Sequence, residues 1–271
     1  MRIVVKLGTS TLAHGTGHLN IRRVEEICKV ISDIKNAGNE VIMVSSGAIG
    51  MGIGKLSLKS KPDDIPTKQA AAAVGQCELM YTYDKLFSEY NHTVAQLLMT
   101  GADLKNEERH QNFSNTLNRL LELNVIPIIN ENDTVATEEI VIGDNDTLSA
   151  IVTALTGADL LILLSDINGL YTDDPRKNPD AEFIDMVECL TDELISMGKG
   201  TTGSDSGTGG METKLTAAKI ATYSGADMVI ANGKDVRVIH RILEGRSYGT
   251  LFKENRNDAF DFAEFVDNLH K

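Results

Sequence analysis

The chain has 271 residues, 42% of them hydrophobic and 24% charged, which is length and apolar content enough to bury one large α/β core or two modest ones. A net charge of −13 argues against broad binding to nucleic acid, which needs clustered Lys and Arg, yet it leaves room for a local basic pocket that holds a small anion. Cys28, Cys77 and Cys189 are widely spaced with no CxxC, so neither a zinc site nor a disulfide framework is expected, and no apolar run approaches the ~20 residues of a membrane span.

The first element is a buried strand, Arg2–Leu7, running into a turn; it does not read as a signal peptide, and a cytoplasmic protein is expected. A helix follows over Ile21–Ala37, with Ile21, Val24, Ile27, Cys28, Ile31 and Ile34 on one face, Asn20 able to cap its start and Gly38 to stop it. Then come a strand at Glu40–Ser45, a helix at Thr67–Tyr90, a strand at Thr93–Leu98, a helix at Arg109–Leu123 and a strand at Val125–Ile129. Val135–Ile142 breaks this rhythm and reads as a short hairpin projecting over a site. A helix at Thr147–Thr156, a strand at Leu160–Ser165, a helix at Glu212–Ser224, a strand at Asp227–Ala231 and a helix at Val236–Glu244 complete the alternation. From about Phe252 the chain is polar, with a terminal amphipathic helix at Phe260–Leu269. Near-continuous apolar strands alternating with helices predict an α/β domain, its parallel sheet covered on both faces and its crossovers right-handed.

Familiar nucleotide signatures are missing. No G-x-x-x-x-G-K-[ST] occurs, the run Gly50-Met-Gly-Ile-Gly-Lys55 misses G-x-G-x-x-G, and the HRD and DFG elements of protein kinases are absent. Four other segments place glycine or small polar residues at the C-terminal ends of strands, the edge where open α/β sheets bind ligands. In Lys6-Leu7-Gly8-Thr9-Ser10, a lysine late in a buried strand either meets an anion or snorkels to solvent, and Gly8 lets the backbone approach a phosphate. Ser45-Ser46-Gly47-Ala48-Ile49-Gly50 is either a helix start whose N–H groups suit an anion or a plain tight turn. Ile129-Asn130-Glu131-Asn132-Asp133, with Gly143-Asp144-Asn145-Asp146 beyond the hairpin, is either a solvated acidic loop or a site that holds an ammonium and orients a lysine. Its spacing does not fit an EF-hand.

Glycines crowd the stretch Gly198–Gly210, which must be functional or disordered at that length. Its end, Gly207-Thr208-Gly209-Gly210-Met211-Glu212-Thr213-Lys214, enters a helix whose start favours phosphate, with Lys214 on the first turn; a glycine-rich linker is the bland alternative. Ser165-Asp166, closing a strand, is a weaker signal and also fits the beginning of an Asn168-Gly169 turn.

Taken together, Val-Lys-Leu-Gly-Thr-Ser, Ser-Ser-Gly-Ala-Ile, Ile-Asn-Glu-Asn-Asp, Gly-Asp-Asn-Asp-Thr-Leu-Ser-Ala, Gly-Leu-Tyr-Thr-Asp-Asp-Pro-Arg and Gly-Thr-Gly-Gly-Met-Glu-Thr-Lys resemble the glutamate 5-kinase family of the amino acid kinase superfamily, in order and spacing from residue 3 to about residue 252. The resemblance implies a three-layer αβα sandwich around an open, mainly parallel eight-stranded sheet. It implies a kinase domain over residues 1–255 that binds glutamate in its N-terminal part and ATP in its C-terminal part, followed by a tail or short helix at 256–271. Lys6 and Lys214 match the two phosphate-stabilising lysines and Asp146 the aspartate that orients them. Ser46, Asp133 and Asn145 match the glutamate contacts, with Asn130 beside them, and Lys6, Ser165, Asp166, Thr208, Gly209, Gly210, Met211, Glu212, Thr213 and Lys214 match the nucleotide positions.

The implied reaction converts ATP and L-glutamate to ADP and L-glutamate 5-phosphate, with Mg²⁺ bridging the phosphates, as the first step toward proline. Proline as feedback inhibitor, hand-over to glutamate-5-phosphate reductase and a homo-oligomer, dimer or tetramer, are expected on the same ground. Many relatives continue into a PUA domain, and this chain is expected to be a short form without one. Acetylglutamate kinase, aspartokinase, carbamate kinase and UMP kinase share the two-lysine phosphate site and differ in the acceptor pocket. The Asn130–Asp133 and Asp144–Asp146 cluster suits an ammonium better than it suits a second phosphate.

Overall fold

The structure is a computed structural model that describes residues 1–16, 18–136, 144–175, 177–197, 210–260 and 265. In chain order its elements are β1 Arg2–Leu7, α1 Thr9–Leu12, α2 Ile21–Asn36, β2 Glu40–Ser45, α3 Ala48–Lys55, α4 Ile65–Ser88, β3 Val94–Met99, α5 Gly101–Lys105, α6 Glu107–Glu122 and β4 Ile126–Glu131. These are followed by α7 Asn145–Thr156, β5 Leu160–Ser165, β6 Leu170–Tyr171, β7 Phe183–Ile184, β8 Met186–Val187, α8 Asp192–Met197, α9 Met211–Tyr223, β9 Asp227–Asn232, α10 Val238–Leu243 and β10 Thr250–Phe252.

Local chemistry sets the helix starts. The side chains of Asn20, Asp64, Asn106 and Asp144 each accept a hydrogen bond from the backbone N–H three residues on, at 3.2, 2.8, 3.0 and 2.8 Å, and so satisfy a donor that the helix leaves unpaired. Asp64 therefore starts α4 two residues before the expected Thr67, with Pro66 in its first turn, where a missing N–H costs nothing.

Eight strands form one sheet in the order β3-β4-β2-β1-β5-β9-β10-β8, in agreement with the expected open, mainly parallel sheet. Neighbours from β3 to β9 run parallel; β10 pairs antiparallel to β9 and parallel to β8. Side-chain alternation along the strands splits the core. Ile3, Val5, Leu7, Val41, Met43, Ile162 and Leu164 pack under α2, α4 and α10, while Val4, Ile42, Val44, Leu161 and Leu163 pack under α6, α7 and α9. Lys6 has the parity of Val4, so it faces the α7–α9 layer. Because the chain winds from β1 to β2 on one side and returns through α7 to β5 on the other, β1 lies at a topological switch point.

Several expectations need correction. The glycine run Gly50–Lys55, noted only for missing a nucleotide signature, is the body of α3, and α1, α5, β8 and β10 had no clear sequence signal. Among the described residues the element before α9 is α8, not the expected strand, and the stretch 198–209, which includes Thr208 and Gly209, lies outside them. The expected hairpin at Val135–Ile142 and the terminal helix at Phe260–Leu269 also fall mostly outside them.

Candidate active site

Strand β1 delivers Lys6 at the carboxyl end of the sheet, α9 delivers Lys214 on its first turn, and the start of α7 delivers Asp146 between them. The Lys6 ammonium lies 2.7 Å from Asp146 Oδ1 and the Lys214 ammonium 3.1 Å from Asp146 Oδ2. Asp146 is 1% exposed, Lys214 5% and Lys6 9%. Burial alone would push this carboxyl up, but the two ammonium groups outweigh it and hold the Asp146 carboxyl well below the usual carboxylate range. Thr213 Oγ shares its one hydrogen between Asp146 Oδ2, at 3.1 Å, and the Gly210 carbonyl, at 2.9 Å. Asp146 is thus held as a carboxylate between two ammonium groups, an arrangement that suits it to orient cations.

The preceding residue faces the other way. Asn145 donates its two amide hydrogens to Ser46 Oγ at 2.8 Å and to Asn130 Oδ1 at 2.9 Å. Asn130, at the end of β4, donates onward to Gln76 Oε1 at 3.0 Å. Ser45 and Ser46 part company at the end of β2: Ser45 Oγ pairs with the buried Tyr83 hydroxyl at 2.9 Å, and Ser46 turns to the site. Gly47 caps α3 with φ +100°, a conformation that penalises a β-carbon, so the first N–H groups of α3 open beside Ser46. Two residues beyond β4, burial raises the Asp133 carboxyl to about 6. Asp144 is also raised, by burial and then by the Asp146 charge, and serves as the cap of α7.

On the far side of β1, Ser165 ends β5 with its hydroxyl 3.2 Å from Asp166 Oδ1, and Gly233 after β9 donates its N–H to the Ser165 carbonyl at 2.8 Å. Gly210 caps α9 without a side-chain partner, Met211 is half-buried against the core, and Glu212 points to solvent. The structure therefore brings together Lys6, Asp146, Thr213 and Lys214 as one group, and Ser46, Asn130 and Asn145 as another. Ser165 and Asp166 lie at the neighbouring strand end. Gln76 had no sequence signal, because a glutamine in the middle of an alanine-rich helix reads as surface.

Among the described residues no three His, Cys, Asp or Glu gather as a metal cage, and no helix is long and apolar enough to cross a membrane. The three cysteines are free, with Cys28 buried.

Residues 1–232 match the model of the amino acid kinase family. The chain is 55% identical over 250 residues to glutamate 5-kinase of Clostridium tetani, covering 92% of this chain and 93% of that one. It is 51% identical over 261 residues to glutamate 5-kinase of Clostridium perfringens, covering 95% and 97%, and 53% identical to that of Caldanaerobacter subterraneus, of which it covers 69%. Among solved structures, carbamate kinase from Giardia lamblia bound to AMP-PNP superposes with a TM-score of 0.68 at 15% identity, covering 94% of this chain and 98% of that one. UMP kinase from Bacillus anthracis superposes with a TM-score of 0.62 at 16% identity, covering 94% and 96%. These two share the fold.

Proposed function

The chain belongs to the amino acid kinase family and, within it, to the glutamate 5-kinases, and on that premise we propose that it transfers the γ-phosphoryl group of ATP to the side-chain carboxylate of L-glutamate, giving ADP and L-glutamate 5-phosphate on the way to proline. The observation that carries the reading at the level of chemistry is the convergence of Lys6 and Lys214 on Asp146, directly beside the Ser46–Asn145–Asn130 cluster.

The nucleophile is a carboxylate that is ionised at neutral pH, so no general base is needed. A carboxylate oxygen forms the new bond to phosphorus as the bond from phosphorus to the ADP oxygen breaks, and the charge on the moving group is met by Lys6 on one side and Lys214 on the other. Asp146 holds both ammonium groups in place before substrate arrives, so little reorganisation remains for the transition state. Ser46 and the open N–H groups of α3 suit a carboxylate of glutamate, and Asp133 suits its ammonium. Ser165, Asp166 and the segment from Thr208 to Lys214 take the nucleotide. Mg²⁺ bound with the nucleotide would neutralise phosphate charge. A homo-oligomer, inhibition by proline near the acceptor pocket, hand-over of the reactive acyl phosphate to a reductase, and a cytoplasmic setting complete the reading.

The test is ADP release with glutamate, N-acetylglutamate, aspartate and UMP as acceptors, together with hydroxylamine trapping of the acyl phosphate. Glutamate-dependent hydroxamate supports the proposal; faster turnover of another acceptor overturns it.

A further inference from the structure

Gln76 lies on α4, is 7% exposed and, among the described residues, is joined to the acceptor cluster through Asn130. Its position is set by an unusually close helix contact. A β-carbon added at Gly75 would sit 1.8 Å from the Ala48 carbonyl oxygen, and one added at Gly52 would sit 1.8 Å from that of Ala71, so α3 and α4 touch backbone to backbone. That contact holds the residue after Gly75 beside the first turn of α3, within reach of the end of β4.

Counting donors and acceptors shows what this does. Asn145 spends both amide hydrogens, on Ser46 and Asn130, and Asn130 uses its own amide nitrogen to reach Gln76 Oε1. With the bonds in that direction, Asn145 Oδ1 has no protein partner among the described residues and stands as an acceptor, while the Ser46 hydrogen is free to be donated. An acceptor beside a donor matches the ammonium and carboxylate of an amino acid. The same three bonds run backwards would present the Asn145 amine instead and meet an ammonium with a donor.

We propose that Gln76 is a positioning residue that, by accepting from Asn130, fixes the polarity of the Asn130–Asn145–Ser46 chain and so makes the site select an acceptor bearing an α-ammonium. This rests on the reading of the pocket as the glutamate site. The comparison that tests it is glutamate against glutarate, which keeps both carboxylates and lacks the amine, in wild type, Gln76→Met and Gln76→Glu.

Gln76→Met fills a similar volume and replaces the amide oxygen with a sulfur that accepts only weakly. It should raise KM for glutamate about tenfold, the counterpart of one net hydrogen bond, with KM for ATP unchanged and the preference for glutamate over glutarate reduced by a similar factor. Gln76→Glu can only accept when ionised, so it should keep that preference. A Gln76→Met enzyme with unaltered preference, equal losses for both acceptors, or a Gln76→Glu enzyme that loses preference as fully as Gln76→Met would overturn the assignment alone. A wild-type enzyme inactive on glutamate would overturn the parent reading as well.

Discussion

Asn145 and Asp146 are consecutive on the first turn of α7, yet their side chains serve opposite halves of the site: Asn145 reaches Ser46 and Asn130 across β2 and β4, and Asp146 reaches Lys6 and Lys214 on β1 and α9. About 100° of helical turn separates adjacent side chains, so one helix start links acceptor to donor with no intervening residue. Any displacement of α7 therefore disturbs both halves together.

Lys214→Ala and Lys6→Met each remove one pole of the phosphoryl site. Each should lower kcat roughly 10²- to 10³-fold, the loss typical of a preorganised electrostatic donor. Steady-state ADP release at saturating glutamate measures it, and an unchanged kcat for either variant contradicts the role given to that lysine.

Asp146→Asn keeps the shape and removes the charge. It should lose rate while retaining appreciable glutamate binding, so kcat falls and KM for glutamate stays within a few-fold. Because the folded-state carboxyl titrates below its unfolded value, Asp146 contributes stability above about pH 4 that is lost as pH falls through the lower folded value. Urea midpoints at pH 7 and pH 3 should therefore differ less in the variant than in the wild type.

Asp133 has the opposite sign. Burial raises its carboxyl to about 6, so the folded protein holds a proton that the unfolded chain releases near pH 4, and Asp133 subtracts stability above pH 6. Asp133→Asn should raise Tm at pH 7.5 while weakening glutamate. In the wild type, KM for glutamate should climb as pH falls below 6, since a neutral carboxyl holds an ammonium poorly. A flat KM profile between pH 5 and 7.5 would contradict this.

Gly75→Ala forces a β-carbon into the Ala48 carbonyl, which is backbone and cannot swing away. A cost of about 1–3 kcal/mol is expected from overpacking, seen as a fall of several degrees in Tm. The variant should also bind glutamate less well, because α3 carries the N–H groups beside Ser46. Gly15→Ala, which adds a β-carbon to open space, serves as the control for glycine loss without a clash.

The strands, the long helices and the Asn20 cap were legible in the sequence because the chemistry that sets them is local, although the starts of α4, α6 and α7 were placed two residues late. An apolar run bounded by Gly or Asn marks a strand, and a cap hydrogen bond spans three residues. Lys6 stood out because a lysine late in a buried strand is costly unless an anion meets it, and Lys214 because it follows a glycine-rich helix start that favours phosphate, while the roles of Ser46 and Asp146 came from the family resemblance. The parity of Lys6 with Val4 told which residues it sides with, but not that α7 and α9 form that layer. Strand order decided the rest: β1 lies between β2 and β5, and that order brings Asp146 to Lys6 and, from 68 residues away, to Lys214. Thr213, expected at the nucleotide, is drawn to the same carboxylate. Gln76 was invisible for the same reason, since its bond to Asn130 spans 54 residues and depends on two glycines that let α3 and α4 meet at the backbone. The sequence by itself determined the elements and the chemical groups at their ends; the tertiary structure alone decided which of those groups share a charge or a hydrogen bond, because long-range pairing follows from burial and strand order and leaves no periodic trace in the chain.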